Sequence, residues 1–303
     1  MQTPYTIEGS ELRSWRTGIG ALWMASLTAS SVEAVDAKIR LGYTENPAGA
    51  GDCVLLRVRA AESPIGVLCL HPRRFHFGPR RIAGANLADF AVAATHRSLG
   101  PALSLMKHAI ALGKQKFELV YGLPNRKSFA VCKRAGMKEI GARTRYVKVL
   151  SSRHYIARHL PEPIERVLGG IVDASMRALD AARRLLLRPR MSGTAAEFDD
   201  AAIDRIWQKR RMDLLLSERS ADMLQWRFGA PGRSKWQLCL VRSADGTDCG
   251  EIVWRLNDGI AQVGDFFSCD PRRMTASMML AFSAHARGLG ARSVSVEFFG
   301  AES

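Results

Sequence analysis

The stretch HRSLGPALSLMKHAI, residues 96–110, follows the apolar run ADFAV and contains a loop that opens a helix. Gly100 allows a ligand to approach the backbone closely, and Pro101 suits the first turn of a helix, where its missing N–H is not needed. Unpaired N–H groups at the start of a helix bind phosphate, and Arg97 adds a positive charge beside them. The stretch therefore predicts a strand–loop–helix unit with an anion-binding loop.

The composition is that of a globular protein with two domains. The chain has 303 residues, of which 47% are hydrophobic, enough to bury a sizeable core. Its six cysteines are scattered, without the close pairs that bind zinc or perform redox chemistry, so we expect free thiols in a reducing cytoplasm and no metal site. Because no apolar run is long enough to span a membrane, we predict no transmembrane segment.

The net charge of +15 favours anionic partners, including nucleic acid, an acidic membrane face or a phosphorylated cofactor. The arginines form separate clusters, at 71–81, 181–190 and 208–212, and no recognised nucleic-acid motif accompanies them. A solvated basic surface accounts for this pattern, and we expect no specific nucleic-acid partner. Nucleic-acid binding is an alternative that rests on charge alone.

Strand-like and helix-like patterns alternate along the first 150 residues. Residues 10–40 are helix-like, and Val- and Leu-rich runs punctuated by glycine and proline follow. These patterns predict strands at 52–60, 64–72, 85–93, 116–122 and 144–150, and helices at 100–113 and 125–136. A mixed sheet with flanking helices, in the α/β (α+β) class, accounts for this order.

One segment of the second half aligns with the first half. ADFAVAATHRSLGPALSLMKHAIALGKQKFELVYG aligns without a gap with GDFFSCDPRRMTASMMLAFSAHARGLGARSVSVEF. Asp89 falls on Asp265, and Arg97 on Arg273. The strand patterns that precede each segment also correspond, so we expect one fold in two tandem copies.

The repeat predicts domains over residues 1–150 and 191–303, joined by a linker over 151–190. The linker has apolar residues at helical spacing with arginines between them, which predicts an amphipathic helix that packs on either domain or lies on a membrane surface. The alignment ends before any counterpart of the 125–136 helix and the strand after it. We therefore expect the second copy to be incomplete and its uncovered edge to favour self-association.

Two motifs in the first copy resemble those of the GNAT acyltransferase superfamily. RSLGPA, from Arg97, fits the family loop Arg/Gln-x-x-Gly-x-Gly/Ala, and NRKSFAVCKRAGM, from Asn125, fits the register of a later family helix. The resemblance covers residues 1–150, and the second copy shows it only in outline. It implies an acyl-CoA N-acyltransferase-like fold.

The resemblance also implies acetyl-CoA, or another acyl-CoA, as co-substrate. In the family, the loop holds the pyrophosphate by backbone N–H groups, the preceding strand pairs with the pantetheine arm, and a splayed sheet places the thioester beside an amine. The residues at these positions are Arg97, Ser98, Leu99, Gly100 and Ala102 in the loop, Ala91, Val92 and Ala93 on the strand, and Asn125 and Ser128 on the later helix. Pro101 departs from the pattern, because it removes one N–H. Ala276 replaces Gly100 in the second copy, so we expect only the first copy to bind coenzyme A.

The catalytic residues are less clearly indicated. The family's frequent general acid, a tyrosine, falls on Cys132, so either this thiol or a water donates the proton, or Cys132 is simply buried. Asp89 and Glu118 are candidate general bases, because they lie on the two strands that flank the implied cleft. Since Asp89 recurs as Asp265, it is alternatively a structural residue.

The leading hypothesis is an N-acyltransferase that moves an acetyl group to an amine by direct attack in a ternary complex. The acceptor would be a small-molecule or peptide amine, and a role in envelope or exopolysaccharide biosynthesis would fit the resemblance. A GNAT-like protein that binds a ligand or partner without catalysis is the alternative, since the family tyrosine is missing.

Overall fold

A computed structural model describes residues 5–27, 31–59, 63–156, 161–229 and 235–299. The chain forms two compact units, one of residues up to 140 with 212–218, the other of residues 141–211 with 219 onward. Several stretches used in the sequence analysis fall partly outside the described residues: the helix-like region at 28–30, the strand at residue 60, the linker at 157–160, and the second domain at 230–234 and beyond 299.

The first unit is built on one mixed sheet in the order β1-β2-β3-β4-β5, with a short strand, β8, paired to β3. Neighbours are antiparallel except β4 and β5, which run parallel. Its strands are β1 (Tyr5–Glu11), β2 (Asp52–Val58), β3 (Gly66–Phe77), β4 (Arg80–Val92), β5 (Leu119–Gly122) and β8 (Leu216–Ser217), and its helices are α1 (Arg16–Ser26), α2 (Val32–Ile39), α3 (Leu99–Lys116) and α4 (Arg126–Arg134).

Apolar side chains on both faces of this sheet explain why helices cover both. On one face α3 packs Leu105, Met106 and Ala109 against the strands. On the other, α1 and α2 pack around the buried Trp23, and a π-helical turn over Arg40–Thr44 follows α2. This is the α/β arrangement that the sequence predicts.

A β-bulge interrupts the pairing of β3 with β4. Val67 lies opposite Ala91 and Cys69 opposite Ala88, so β4 has one extra residue at Asp89, whose φ is 55°. Parallel pairing with β5 covers only residues 84–87 of β4. Within the described part of the chain, the last five residues of β4 therefore have no strand on that side.

The second unit contains a sheet in the order β6-β12-β11-β10-β9-β7, in which only β11 and β12 run parallel. This sheet also has a bulge, between β10 and β11, where Gly264 is the extra residue. Its strands are β6 (Thr144–Val149), β7 (Met191–Ala196), β9 (Gln237–Ser243), β10 (Asp248–Asn257), β11 (Ile260–Ser268) and β12 (Ser293–Phe298), and its helices are α5 (Arg153–Ile156), α6 (Glu162–Leu186), α7 (Asp200–Gln208), α8 (Ala221–Leu224) and α9 (Pro271–Gly288).

The structure differs from the prediction for the strand over 144–150. Instead of ending the first unit, β6 pairs antiparallel with β12 of the second sheet. The pairing is supported by the hydrogen bond from Arg145 Nε to Ser295 Oγ (2.9 Å) and that from Leu150 N to the Arg292 carbonyl (2.8 Å). The edge of β12 that the alignment leaves uncovered is thus covered by β6, which removes the ground for self-association there.

The expected linker over 151–190 is not a separate element between two domains. Its described part consists mainly of α5 and α6, and both helices belong to the second unit. Arg153 of α5 packs directly over Gly169 of α6, where a β-carbon would lie 2.7 Å from Arg153 Cγ. The unit boundary therefore lies near residue 140 rather than at 150 and 190.

Candidate functional site

The end of β4 presents part of its backbone away from β3. The N–H of Ala93 donates to the Ile65 carbonyl (2.8 Å), so Ala93 and, by strand alternation, Ala91 face β3. Val92 faces the opposite side, where its carbonyl accepts hydrogen bonds from Nε (3.2 Å) and Nη2 (3.1 Å) of Arg97. Of the three predicted strand residues, Val92 is the one whose backbone lies on the open edge.

The loop between β4 and α3 leads from this edge to a helix N-terminus. A 3-10 turn over Ala94–His96 is followed by Arg97 and by Ser98, which is the N-cap residue of α3. The N–H groups of residues 96–98 are bonded within the loop, and that of Ala102 makes a long bond (3.4 Å) to the Ser98 carbonyl.

Two backbone donors remain at the start of α3. Among the described residues, the N–H groups of Leu99 and Gly100 have no backbone acceptor, and both residues are exposed. A β-carbon on Gly100 would meet no atom within 4 Å. The predicted loop residues thus form an accessible helix N-terminus with two free donors, a geometry that binds phosphate.

A polar cluster lies on the face of the first sheet opposite α3. The carboxylate of Asp89, on the bulge, accepts hydrogen bonds from Lys38 Nζ (2.5 Å) and from the hydroxyl of Tyr43. The ring of Tyr43 lies 4.9 Å from that of His71. Nearby on β4, Asn86 has a buried Oδ1 with no hydrogen-bond partner in the described part of the chain.

Sequence reasoning found Asp89 but missed the other members of this cluster. Tyr43 is only 2% exposed, and burial, together with the neighbouring Cys69 and Asp89, raises its pKa well above the ordinary value. Lys38 and Tyr43 lie on α2 and the turn that directly follows it, but His71 and Asp89 lie on strands far along the chain, so no local spacing could indicate that the four residues meet.

Glu118 is placed away from this cluster. It directly precedes β5, where its N–H donates to the Ala83 carbonyl (2.9 Å), and its carboxylate accepts from the N–H of Ala83 (3.2 Å) and pairs with Arg80. Asp89 lies six residues after Ala83 on β4, a distance of about 20 Å. The structure does not bring the two candidate bases together, because Glu118 lies at the opposite end of the β4–β5 pair from the open edge.

The later helix holds the remaining candidates. Asn125 caps α4, since its Oδ1 accepts from the N–H groups of Lys127 and Ser128 (3.0 Å each) and from Ser128 Oγ (3.1 Å). Cys132 is 8% exposed in the apolar cluster on the α3 face, and its burial raises its pKa. Asp89 and Cys132 therefore lie on opposite faces of the sheet.

The second unit differs at the equivalent positions. Asp265 is buried between Arg219 (3.0 Å) and Arg227, and although burial opposes ionisation, the two guanidinium groups lower its pKa. Only two residues separate β11 from α9, and Asp270 is the N-cap residue. No loop comparable to residues 93–98 precedes this helix.

The described ranges contain neither a metal-binding cluster nor a membrane-spanning helix. No three His, Cys, Asp or Glu side chains are grouped there as a metal site. No helix in these ranges is long and apolar enough to cross a membrane.

Comparisons with known proteins give structural matches only. No protein-family model matches the sequence, and no curated protein sequence matches it significantly. The structure is similar to a conserved protein of unknown function and probable N-acyltransferase from Enterococcus faecalis, with a TM-score of 0.65 and 14% identity over 99% of this chain and 67% of that one. It is also similar to a GCN5-related N-acetyltransferase from Kribbella flavida, with a TM-score of 0.60 and 14% identity over 98% of this chain and 66% of that one. A third similar structure is that of N-myristoyltransferase from Saccharomyces cerevisiae with bound myristoyl-CoA, with a TM-score of 0.51 and 9% identity over 98% of this chain and 73% of that one.

The chain spans about two thirds of the length of the first two of these proteins. At identities of 14% or less, the likeness concerns the fold, and it agrees with the resemblance found in the loop and helix motifs. The chain has the fold of the GCN5-related N-acetyltransferase superfamily.

Proposed function

We propose that the chain is an acyl-CoA-dependent N-acyltransferase whose first unit binds coenzyme A. The observation that carries the proposal is the open end of β4 leading directly into an accessible helix N-terminus with free N–H groups on Leu99 and Gly100. The pyrophosphate would bind at these donors, and the pantetheine arm would add to the open edge of β4 like a further strand. The yeast neighbour with bound myristoyl-CoA supports an acyl-CoA as the co-substrate.

The polar cluster around Asp89 is the proposed place of the acceptor amine. In direct transfer the amine nitrogen attacks the thioester carbonyl, a tetrahedral intermediate forms, and the C–S bond breaks as the nitrogen loses a proton. Asp89 is the candidate base, held by Lys38 and Tyr43. Glu118 is not proposed as the base, because it lies at the other end of the β4–β5 pair, about 20 Å along β4 from Asp89. Since Cys132 lies on the other face, we infer that water protonates the coenzyme A thiolate.

We infer further that the two units are copies of one fold and that only the first binds coenzyme A. The inference is supported by the shared strand order, the single parallel pair, the bulge and the aspartate at or beside it in each unit. In the second unit the acidic Asp270 at the helix N-terminus would repel a pyrophosphate. An amine acceptor that is a small molecule or peptide, and an envelope role, remain predictions.

Binding of acyl-CoA tests the proposal directly. We expect acetyl-CoA or a longer acyl-CoA to raise the melting temperature. At a ligand concentration of 100 times Kd, binding should raise the free energy of unfolding by about 2.7 kcal/mol. Gly100→Glu should abolish the shift through repulsion of the pyrophosphate, and it should fold, because its side chain meets open space. Gly288→Glu is the matched control, since a β-carbon there also meets no atom within 4 Å.

Three outcomes would contradict parts of this proposal. An unchanged melting temperature with every acyl-CoA would refute the enzyme while leaving the fold. Binding that survives Gly100→Glu would place the cofactor elsewhere. Binding without turnover on a panel of amines would favour the non-catalytic alternative.

A further inference from the structure

Helix α6 is attached to the second unit through its polar side. Asp173 accepts hydrogen bonds from the N–H (2.6 Å) and Oγ (2.7 Å) of Ser152. About two turns later, Asp180 accepts from Lys148 Nζ (2.7 Å) and Arg287 Nη2 (2.9 Å). Both aspartates are buried, so the side of α6 that carries them faces its own unit.

The opposite side of α6 is apolar and exposed. At 3.6 residues per turn, the exposed apolar residues fall in a sector of about 140° that excludes Asp173 and Asp180. Val167 is 63% exposed and Ile171 58%. This outer face consists of Ile164, Val167, Leu168, Ile171, Val172 and Leu179. Such a continuous apolar surface is unusual on a soluble protein and indicates a binding surface.

Arginines surround α6, and a groove lies at the C-terminal end of its outer face. Arg183 is exposed on one flank of the outer face, about 90° from its centre, whereas Arg177 and Arg184 are exposed on the side of α6 that carries the two aspartates. Arg184 and Arg190 line a groove of about 320 Å³ together with Leu185 and Ser277. The Oγ of Ser277 is buried, and it has no hydrogen-bond partner among the described residues. Two guanidinium groups and a free hydroxyl suit a phosphate group.

We propose that α6 lies flat on an anionic phospholipid membrane, with its outer face in the acyl boundary, and with Arg183 on one flank and the groove on the other at the lipid phosphates. An amphipathic helix with an arginine-rich polar side is the element that binds in this way. The groove would receive one headgroup phosphate. A second copy of the chain is a poorer occupant, because pairing two outer faces would bring the arginines of two molecules of charge +15 together.

Vesicle co-sedimentation of the full chain tests this inference independently of acyl-CoA binding. We expect binding to vesicles of about three parts phosphatidylcholine to one part phosphatidylglycerol, and little to phosphatidylcholine alone. Raising the salt from about 0.1 M to about 0.5 M should weaken it. Ile171→Glu should lower the partition coefficient at least tenfold, as expected from placing a charge in the acyl boundary. Arg183→Ala should lower it roughly fivefold.

Leu289→Glu is the matched control, because Leu289 is 49% exposed in the same unit but is not part of α6 or of its outer face. It should bind vesicles like the parent. Absence of binding to the anionic vesicles, or equal binding of parent and Ile171→Glu, would overturn the inference. A dimer in sedimentation velocity that Ile171→Glu dissociates, with no vesicle binding, would also overturn it by assigning the outer face to a second copy.

Discussion

The buried Glu251 should make the stability of the second unit fall as the pH rises. Glu251 lies on β10, is 1% exposed, and has neither carboxylate oxygen bonded within the described part of the chain. Burial, and then the nearby Asp265, raise its pKa from 4.5 to about 8, against the opposing effect of Arg219. The equivalent position of the first unit, opposite the end of β4, is the apolar Val67.

The sign and size follow from proton linkage. Between pH 4.5 and 8 the unfolded chain has lost the proton of Glu251 while the folded chain keeps it, so stability falls as the pH rises through this window. In this window each pH unit lowers the free energy of unfolding by about 1.4 kcal/mol. At pH 7, which is 2.5 units above the ordinary pKa, the loss is about 3 kcal/mol relative to pH 4.5.

Glu251→Gln replaces the titrating group by a neutral one of the same shape. We expect the variant to match the parent near pH 4.5 and to exceed it by about 3 kcal/mol at pH 7. Urea unfolding at several pH values, followed by the fluorescence of Trp207 and Trp254 in the same unit, would measure this. Glu197→Gln, at an exposed position of that unit, is the control and should not change the slope. Equal pH profiles for Glu251→Gln and the parent would refute the reasoning.

Two further substitutions and one titration test the site. Cys132→Ser should change the turnover rate by no more than about threefold, because the thiol lies away from the open edge of β4. It should lower the free energy of unfolding by about 1–3 kcal/mol, because it buries a hydroxyl group. A rate about a hundredfold lower would instead indicate that Cys132 is the general acid. Asp89→Ala should destabilise the first unit by about 2–4 kcal/mol, because it leaves Lys38 and Tyr43 without their acceptor and because alanine tolerates the positive φ of this position less well than aspartate. An unchanged urea titration would contradict this. Calorimetry should find one coenzyme A per chain, and two sites would show that the second unit binds as well.

Local signals account for what the sequence predicted well. Glycine and proline at residues 100 and 101 indicated where the loop ends and α3 begins, and α3 starts at Leu99. Asn125 indicated the start of α4 and is its N-cap residue. Such signals depend only on near neighbours in the chain, so a single sequence contains them.

Long-range pairing explains what the sequence could not give. The partner of β6 is β12, about 150 residues away, and no local pattern in either strand indicates this pairing. For α6 the periodicity predicted the helix and its apolar stripe, but packing reverses the usual rule. Asp173 and Asp180 find donors on their own unit and are buried, so the apolar residues are left outside.

One position shows how a shared scaffold supports different chemistry in the two units. Asp89 and Asp265 are aligned in sequence, and each lies at or beside a bulge on the strand that leads into the main helix. Two arginines surround Asp265 and hold it as a buried carboxylate, which suits a structural ion pair. Asp89 has one lysine and one phenol, and it stands beside an open strand edge and a loop with free N–H groups. The aligned aspartates are thus equivalent in position and different in surroundings, and it is the surroundings of Asp89 that favour the first unit as the place of the proposed acyl transfer.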